Sequence, residues 1–262
     1  MQIGQTQRAT DLLDPARAAA LHQTLGLDGP PPVDVLPPFW HQIYFWDPHP
    51  PEALGPDSHP RVGQGVIPDL GLPRRMWAGG ALEFLAPLRL GAPAEKVSTL
   101  TDVQRKEGRS GALGFVTLTH EIVQGGEVCV RERQDLVYRD PSPAARALPQ
   151  ARSDEHVKRR VTFDPTLLFR YSALTFNGHR IHYDADYARD VEGYAGLVVH
   201  GPLLAQLLIH LAVAQLGSLK SFAFRATAPL MDFEPADLCW VEGSEMWVRG
   251  PDGRQCMTAK AM

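Results

Sequence analysis

Two histidines and an asparagine fall within the stretch Tyr171-Ser-Ala-Leu-Thr-Phe-Asn177-Gly178-His179-Arg180-Ile181-His182-Tyr183-Asp184. Imidazole titrates near neutrality, so this grouping is suited to moving protons. Asn177-Gly178 is a tight-turn pair that bends the chain sharply. A metal reading would combine His179 and His182 with an acid. No third ligand stands at a defined spacing, so no metal is expected. Two loop histidines in ordinary hydrogen bonds are the competing reading.

A second stretch, Gly196-Leu-Val-Val-His200-Gly201-Pro202, leads into a long apolar run. Gly201 stands where a cap belongs and Pro202 fits the first helical turn. A helix start presents unpaired amide hydrogens and a positive dipole end, which suits an oxyanion. The alternative is a routine cap on a buried helix.

Together the two stretches resemble the MaoC-like, R-specific enoyl-thioester hydratases of the hotdog fold. Their pattern is Ser-Gly-Asp-x-Asn-Pro-(aliphatic)-His, then His-Gly at the start of a central helix. Ile181-His182 and His200-Gly201 keep the two ends of it. The wording around Asn177 is similar to a two-hotdog branch. That branch includes mitochondrial-type 3-hydroxyacyl-thioester dehydratases and mesaconyl-CoA or itaconyl-CoA hydratases. In it the N-terminal half has lost the motif, and residues 76–140 carry none here. The resemblance implies an α+β double hotdog, each half an antiparallel sheet round a helix. It implies a hydro-lyase acting on an acyl-CoA, or in the alternative on an acyl-carrier-protein thioester, without a cofactor. Hotdog thioester hydrolysis and non-catalytic thioester binding are the remaining readings.

In this scheme the thioester carbonyl meets the Gly201 amide and His182 is the base. The family's Asp falls on Asn177 and its Asn on His179. An amide does not take up a proton at neutral pH. Either Asn177 orients the water while His182 moves the proton, or His179 shares that work. Arg180 stands where the family has Pro and could meet a substrate carboxylate, or pair with Asp184 or Asp186. Arg75, Trp77, Gly79 with Gly80, and more weakly Arg225, are further candidates for contacting substrate. Arg74 and Lys158-Arg159-Arg160 are candidate phosphate contacts.

The elements that must position these residues are visible in outline. Thr10–Leu25 has helical apolar spacing, and Pro30-Pro31-Pro32 stops it. Residues 30–73 are too rich in proline for helix or central strand. They are expected to form an ordered arm packed by Phe39, Trp40, Tyr44, Phe45 and Trp46. Strand-like runs follow at Lys96–Lys106, Gly114–Gln124 and Val128–Tyr138, with turns at Glu107–Gly111 and Gln124-Gly125-Gly126. After a polar linker, Asp164-Pro165 starts a helix. The motif loop, the apolar helix and strands near 221–229, 237–242, 245–248 and 255–261 complete the chain. Gly250-Pro-Asp-Gly253 marks the last turn. Residues 1–74 are thus the helix and arm, 75–140 the first hotdog core, 141–155 the linker and 156–262 the catalytic hotdog.

Composition fits. The chain has 262 residues, 44% of them hydrophobic, and a net charge of −4. That balance speaks against a nucleic-acid partner. No apolar run is long enough for a membrane span. The N-terminus shows no export signal, and the cysteines Cys129, Cys239 and Cys256 are unpatterned, so a cytoplasmic setting is expected. A homodimer is compatible with the resemblance, although two hotdogs in one chain already form the unit that single-hotdog relatives make by pairing.

Overall fold

The computed structural model describes residues 3–63, 65–108, 111–140 and 148–262. Residues 141–147 of the expected linker, and Arg109-Ser110 of the expected turn, lie outside these. Ten strands form one antiparallel sheet: β1 (Thr6–Leu12), β2 (Arg74–Phe84), β3 (Pro93–Gly108), β4 (Gly111–Gln124), β5 (Glu127–Arg139), β6 (Val157–Val161), β7 (Ser221–Ala226), β8 (Ala236–Val241), β9 (Glu245–Arg249) and β10 (Gln255–Ala261). The order across the sheet is β1-β3-β4-β5-β2-β7-β10-β9-β8-β6. Each half therefore has the same order about the β2–β7 seam, a duplication with no strong trace in the sequence.

The alternation in β4 shows how the sheet faces its core. Gly114, Val116, Leu118, His120 and Ile122 are buried, while the residues between them are partly exposed. At the seam the backbones pack closely. A Cβ on Gly79 would lie 2.7 Å from the Phe224 carbonyl oxygen, and one on Gly80 would collide with the Arg133 carbonyl.

The first helix is α1 (Pro15–Thr24), shorter than the expected Thr10–Leu25. Residues Thr6–Leu12 alternate and pair with β3 as an edge strand instead. Asp14 then caps α1 by accepting from the Ala16 amide, with Pro15 behind it. The same Asp-Pro device opens α2 (Pro165–Leu174), where Asp164 accepts from the Leu167 amide at 2.7 Å.

The halves differ in what the sheet wraps. The C-terminal half encloses α4 (Gly201–Leu216), whose Leu203, Leu204, Ala205, Leu208, Ile209 and Ala212 are buried. In the N-terminal half, among the described residues, α1 is the only α-helix, and the proline-rich arm fills the place of a long one. Phe39, Trp40, Ile43, Tyr44 and Phe45 join the main core, and Val66, Leu70 and Leu72 cover β3, β4 and β5 in a second one. Trp40 Nε1 donates to His210 Nε2 of α4 at 3.1 Å, which ties arm to helix. Trp46 stays partly exposed and stacks on Phe176 with centroids 5.1 Å apart. The end of the linker, from Leu148, runs along the last strands. Gln150 bridges Arg254, and Glu155 pairs with Arg249 at 2.5 Å.

Candidate active site

Asn177 follows α2, where Phe176 adopts positive φ and turns the chain back. The Asn177 side-chain oxygen accepts from the His179 amide at 3.0 Å, closing the turn. Its amide nitrogen is left for the cavity it lines. His182 ends a short 3-10 turn, Arg180–His182, and is 7% exposed. Its Nδ1 lies 2.7 Å from the Val198 carbonyl oxygen. A carbonyl only accepts, so Nδ1 carries the hydrogen and Nε2 keeps its lone pair. Burial pushes His182 down to about 3, despite the opposing bond to Val198. At pH 7 it is a neutral base.

The His182 ring stacks on His200 with centroids 3.6 Å apart and an interplanar angle of 19°. His200 is fully buried and within 2.8 Å of the Ser172 hydroxyl. It precedes Gly201, the first residue of α4. No side chain caps this helix, and Pro202 stands in its first turn. The Gly201 amide is accordingly one of the donors that an α-helix leaves unpaired. A Cβ on Gly201 would lie 2.7 Å from Trp77 Cε3, so glycine is required for Trp77 to pack on the helix start. Trp77 in turn stacks on Phe224 at 4.4 Å.

A cavity of about 450 Å³ lies between the halves. His182, Asn177, His179 and Gly201 line it from one side, Arg75 and Trp77 of β2 from the other. Six of the nine expected site residues are thus brought together. The other three are not. Arg180 donates to Asp184 through Nε at 3.0 Å and Nη2 at 2.7 Å, lies over Tyr187, and bonds the Pro56 carbonyl. It holds the arm against the motif loop. Gly79 sits in the seam for the steric reason given above. Arg225, exposed on β7, points to the other face of the sheet and lines a separate outer groove. Arg74 is tied to Glu192, whereas Arg75 makes no ion pair among the described residues. Lys158, Arg159 and Arg160 lie on the edge strand β6, away from the cavity.

The arm contributes residues that the motif gave no reason to expect. Asp57 accepts twice from His59: Oδ2 from the ring Nδ1 and Oδ1 from the backbone amide, both at 3.1 Å. The His59 ring lies 4.5 Å from His179, which lies 5.4 Å from His182. The available signal was an acid and a histidine two residues apart, Asp57-Ser58-His59, in an otherwise proline-rich segment. Burial works to raise Asp57, but bonding to His59 prevails and its carboxyl is held low. Burial lowers His59 against the pull of Asp57. Burial and the neighbouring His59 push His179 down to about 3. Donor atoms of Asp57, His59 and His179 lie within 4.8 Å of one another. Both Asp57 oxygens are already engaged by His59, and three donors leave a structural metal site unclosed. The cluster fits proton handling better than a metal.

On the N-terminal side the cavity wall is mixed, with Met76, Trp77 and Ala78 beside two polar amide side chains. Gln42 and Gln134 line it. Behind them the Glu132 carboxylate accepts from His41 at 2.9 Å and from Gln42 at 2.8 Å. His120 bridges Gln134 and Ser98.

A double hotdog whose histidine loop faces the start of its central helix is the arrangement of the MaoC-like enoyl-thioester hydro-lyases. The hydroxyacyl-thioester dehydratase type 2 family model matches residues 39–232, and the chain belongs to this family. It is 43% identical over 266 residues to the mesaconyl-C(4)-CoA hydratase of Chloroflexus aurantiacus, covering 98% of this chain and 95% of the relative. It is 27% identical to the mitochondrial hydroxyacyl-thioester dehydratase type 2 of Schizosaccharomyces pombe, covering 82% and 81%. Among solved structures, HtdX of Mycobacterium tuberculosis superposes with a TM-score of 0.69 at 18% identity, covering 97% of this chain and 99% of that one. That last likeness carries the fold alone. The chain is therefore a hydro-lyase, a hydratase or dehydratase of acyl-thioesters.

Proposed function

We propose that the chain adds water, in the cytoplasm, to a short enoyl-CoA bearing a free carboxylate on its β-carbon, of the mesaconyl-C(4) type, and removes it in reverse. The observation that carries this reading is one cavity holding the His182 Nε2 lone pair, the Gly201 amide and an Arg75 side chain that has no carboxylate partner among the described residues. The thioester carbonyl is polarised at the Gly201 amide, helped by the start of the α4 dipole. Water sits at His182, oriented by the Asn177 amide. Its oxygen bonds to the β-carbon as His182 Nε2 takes the proton, and the resulting enolate collapses when the α-carbon is protonated.

Arg75 is close enough for its charge to act on both His59 and His179. A carboxylate on the β-carbon, beside the water site, would meet that cation. Gln42 and Gln134, set among largely apolar lining residues, can hydrogen-bond a short polar acyl group. Trp77 lines the cavity beside Gly201, at the thioester end.

Loss of the conjugated enoyl-thioester absorbance, followed with mesaconyl-C(4)-CoA and crotonyl-CoA, tests the reading. Wild type is expected to turn over the first with the higher kcat/KM, and His182→Ala to lose roughly 100- to 10,000-fold. A folded wild-type protein inert on both would refute it.

A further inference from the structure

The motif loop lacks the carboxylate its family places at Asn177, yet one stands directly behind a histidine of the cavity wall: Asp57 holds His59. The arm folds over the loop so closely that a Cβ on Gly178 would lie 2.8 Å from the Ser58 carbonyl oxygen. Arg180 fastens it twice, through its amide to the Asp57 carbonyl at 3.1 Å and its guanidinium to the Pro56 carbonyl at 3.2 Å. This docking delivers His59 to the cavity wall beside His179.

We infer that Asp57 and His59 form the second acid/base pair of the reaction, resting on the hydratase reading above: His59 is a catalytic residue that protonates the α-carbon, and Asp57 positions it. The geometry sets the division of labour. Asp57 Oδ2 holds the hydrogen of Nδ1, which leaves Nε2 as the nitrogen available for transfer. His182 has a neutral carbonyl at its Nδ1, so its charged form has no carboxylate support. His59 has one, the arrangement by which a buried carboxylate orients a histidine and stabilises its imidazolium.

The step balances as follows. The reactive form has His59 protonated and held by Asp57, with His182 neutral; because burial lowers His59, this form is the minority at neutral pH and grows as pH falls. The water oxygen forms a bond to the β-carbon, and its proton goes to His182 Nε2. The π-electron pair moves onto the thioester enolate. As the enolate collapses, that pair forms the α-carbon–hydrogen bond with the Nε2 proton of His59. The product carries one hydrogen of the water in its hydroxyl and the former His59 proton on its α-carbon, while the other water proton stays on His182. His182 is left charged and His59 neutral, and the state is reset by proton transfer across His179, which lies between the two rings, or through solvent.

The charged and titratable groups that face His59 are Asp57 on its own loop, His179 on the motif loop and Arg75 on β2. Tyr138 of β5 lies near enough to Asp57 and Arg75 to feel both charges. Asp57 works to keep the charged form, Arg75 and burial against it.

The test is the pH profile of kcat/KM with mesaconyl-C(4)-CoA for wild type, Asp57→Asn, His59→Gln and His59→Ala, with thermal unfolding of each. His59→Gln is expected to lower kcat roughly 100-fold or more at unchanged unfolding temperature. Asp57→Asn keeps the bond to Nδ1 but removes the charge. Its basic limb is expected to move to lower pH, with kcat reduced about tenfold at pH 7. A folded His59→Gln within threefold of wild type, or an Asp57→Asn profile superimposable on wild type, would overturn the inference while leaving the hydratase reading intact. Chelator-sensitive activity restored by a divalent cation would overturn it too, because the metal would occupy Nε2. Failure of wild type to turn over any enoyl-CoA would overturn both.

Discussion

Gly201 offers the sharpest test of the helix start. In Gly201→Ala the new Cβ would lie 2.7 Å from Trp77 Cε3 and 3.1 Å from Cζ3. Carbon atoms rest at about 3.5–4.0 Å, so a separation of roughly 0.8 Å or more must open somewhere. Trp77 is backed by Phe224 in a stack at 4.4 Å, and Phe224 is itself packed on the seam glycines. The first turn of α4 is therefore the part that yields, carrying the Gly201 amide with it. Overpacking of this kind costs about 1–3 kcal/mol of stability. Misplacing an oxyanion donor costs about 3–4 kcal/mol in the transition state, roughly 100- to 1,000-fold in kcat. Enoyl-thioester absorbance gives kcat, and urea unfolding gives the stability change. Shortening the obstruction should restore the position: Gly201→Ala with Trp77→Leu should recover at least tenfold in kcat over Gly201→Ala, measured against Trp77→Leu alone as reference. A Gly201→Ala enzyme within threefold of wild type, or no recovery in the double variant, would show that the amide has no part in polarising the thioester.

Acid should weaken the fold, because several histidines are buried neutral. Burial lowers His182 to about 3 and His120 and His210 to about 4, below their unfolded value near 6.5. For a group lowered in this way the stability is complete above pH 6.5 and is lost as pH falls toward the folded value. At pH 5 each such histidine favours the unfolded chain by about 2 kcal/mol. Urea midpoints that do not change between pH 7 and pH 5 would contradict this. Arg75→Gln should raise KM for mesaconyl-C(4)-CoA at least tenfold and leave crotonyl-CoA, which has no carboxylate, within threefold; equal effects on both would place Arg75 elsewhere than at the acyl group. Asn177→Asp keeps the oxygen that accepts from the His179 amide and adds a charge beside two histidines. It should raise the pH of the acidic limb of kcat/KM, and an unmoved limb would mean that the side chain does not face those rings.

The residues with the clearest roles were those whose signals are local. His182 and Gly201 stand in short patterns, and the Asp164-Pro165 start of α2 and the strands β3, β4 and β5 follow from neighbouring residue types. Most of what was missed comes from contacts between residues distant in the chain. Thr6–Leu12 has five polar residues, and its pairing with β3 decides its conformation, so the apolar spacing of Leu12 and Leu13 drew its last three residues into the following helix. For Arg180 the local alternative was the right one, the pair with Asp184; only its further bond to the Pro56 carbonyl, 124 residues away, was out of reach of the sequence. Arg225 was misplaced by period alone: in β7, Phe222 and Phe224 face the core, which sends residue 225 to the other face. Asp57 and His59 were hidden for the same reason, since nothing local says that a proline-rich arm folds onto the loop of the other half. That arm fills the place a central helix would take in the N-terminal hotdog. It brings an imidazole, backed by a carboxylate, to the wall of the site in the other half.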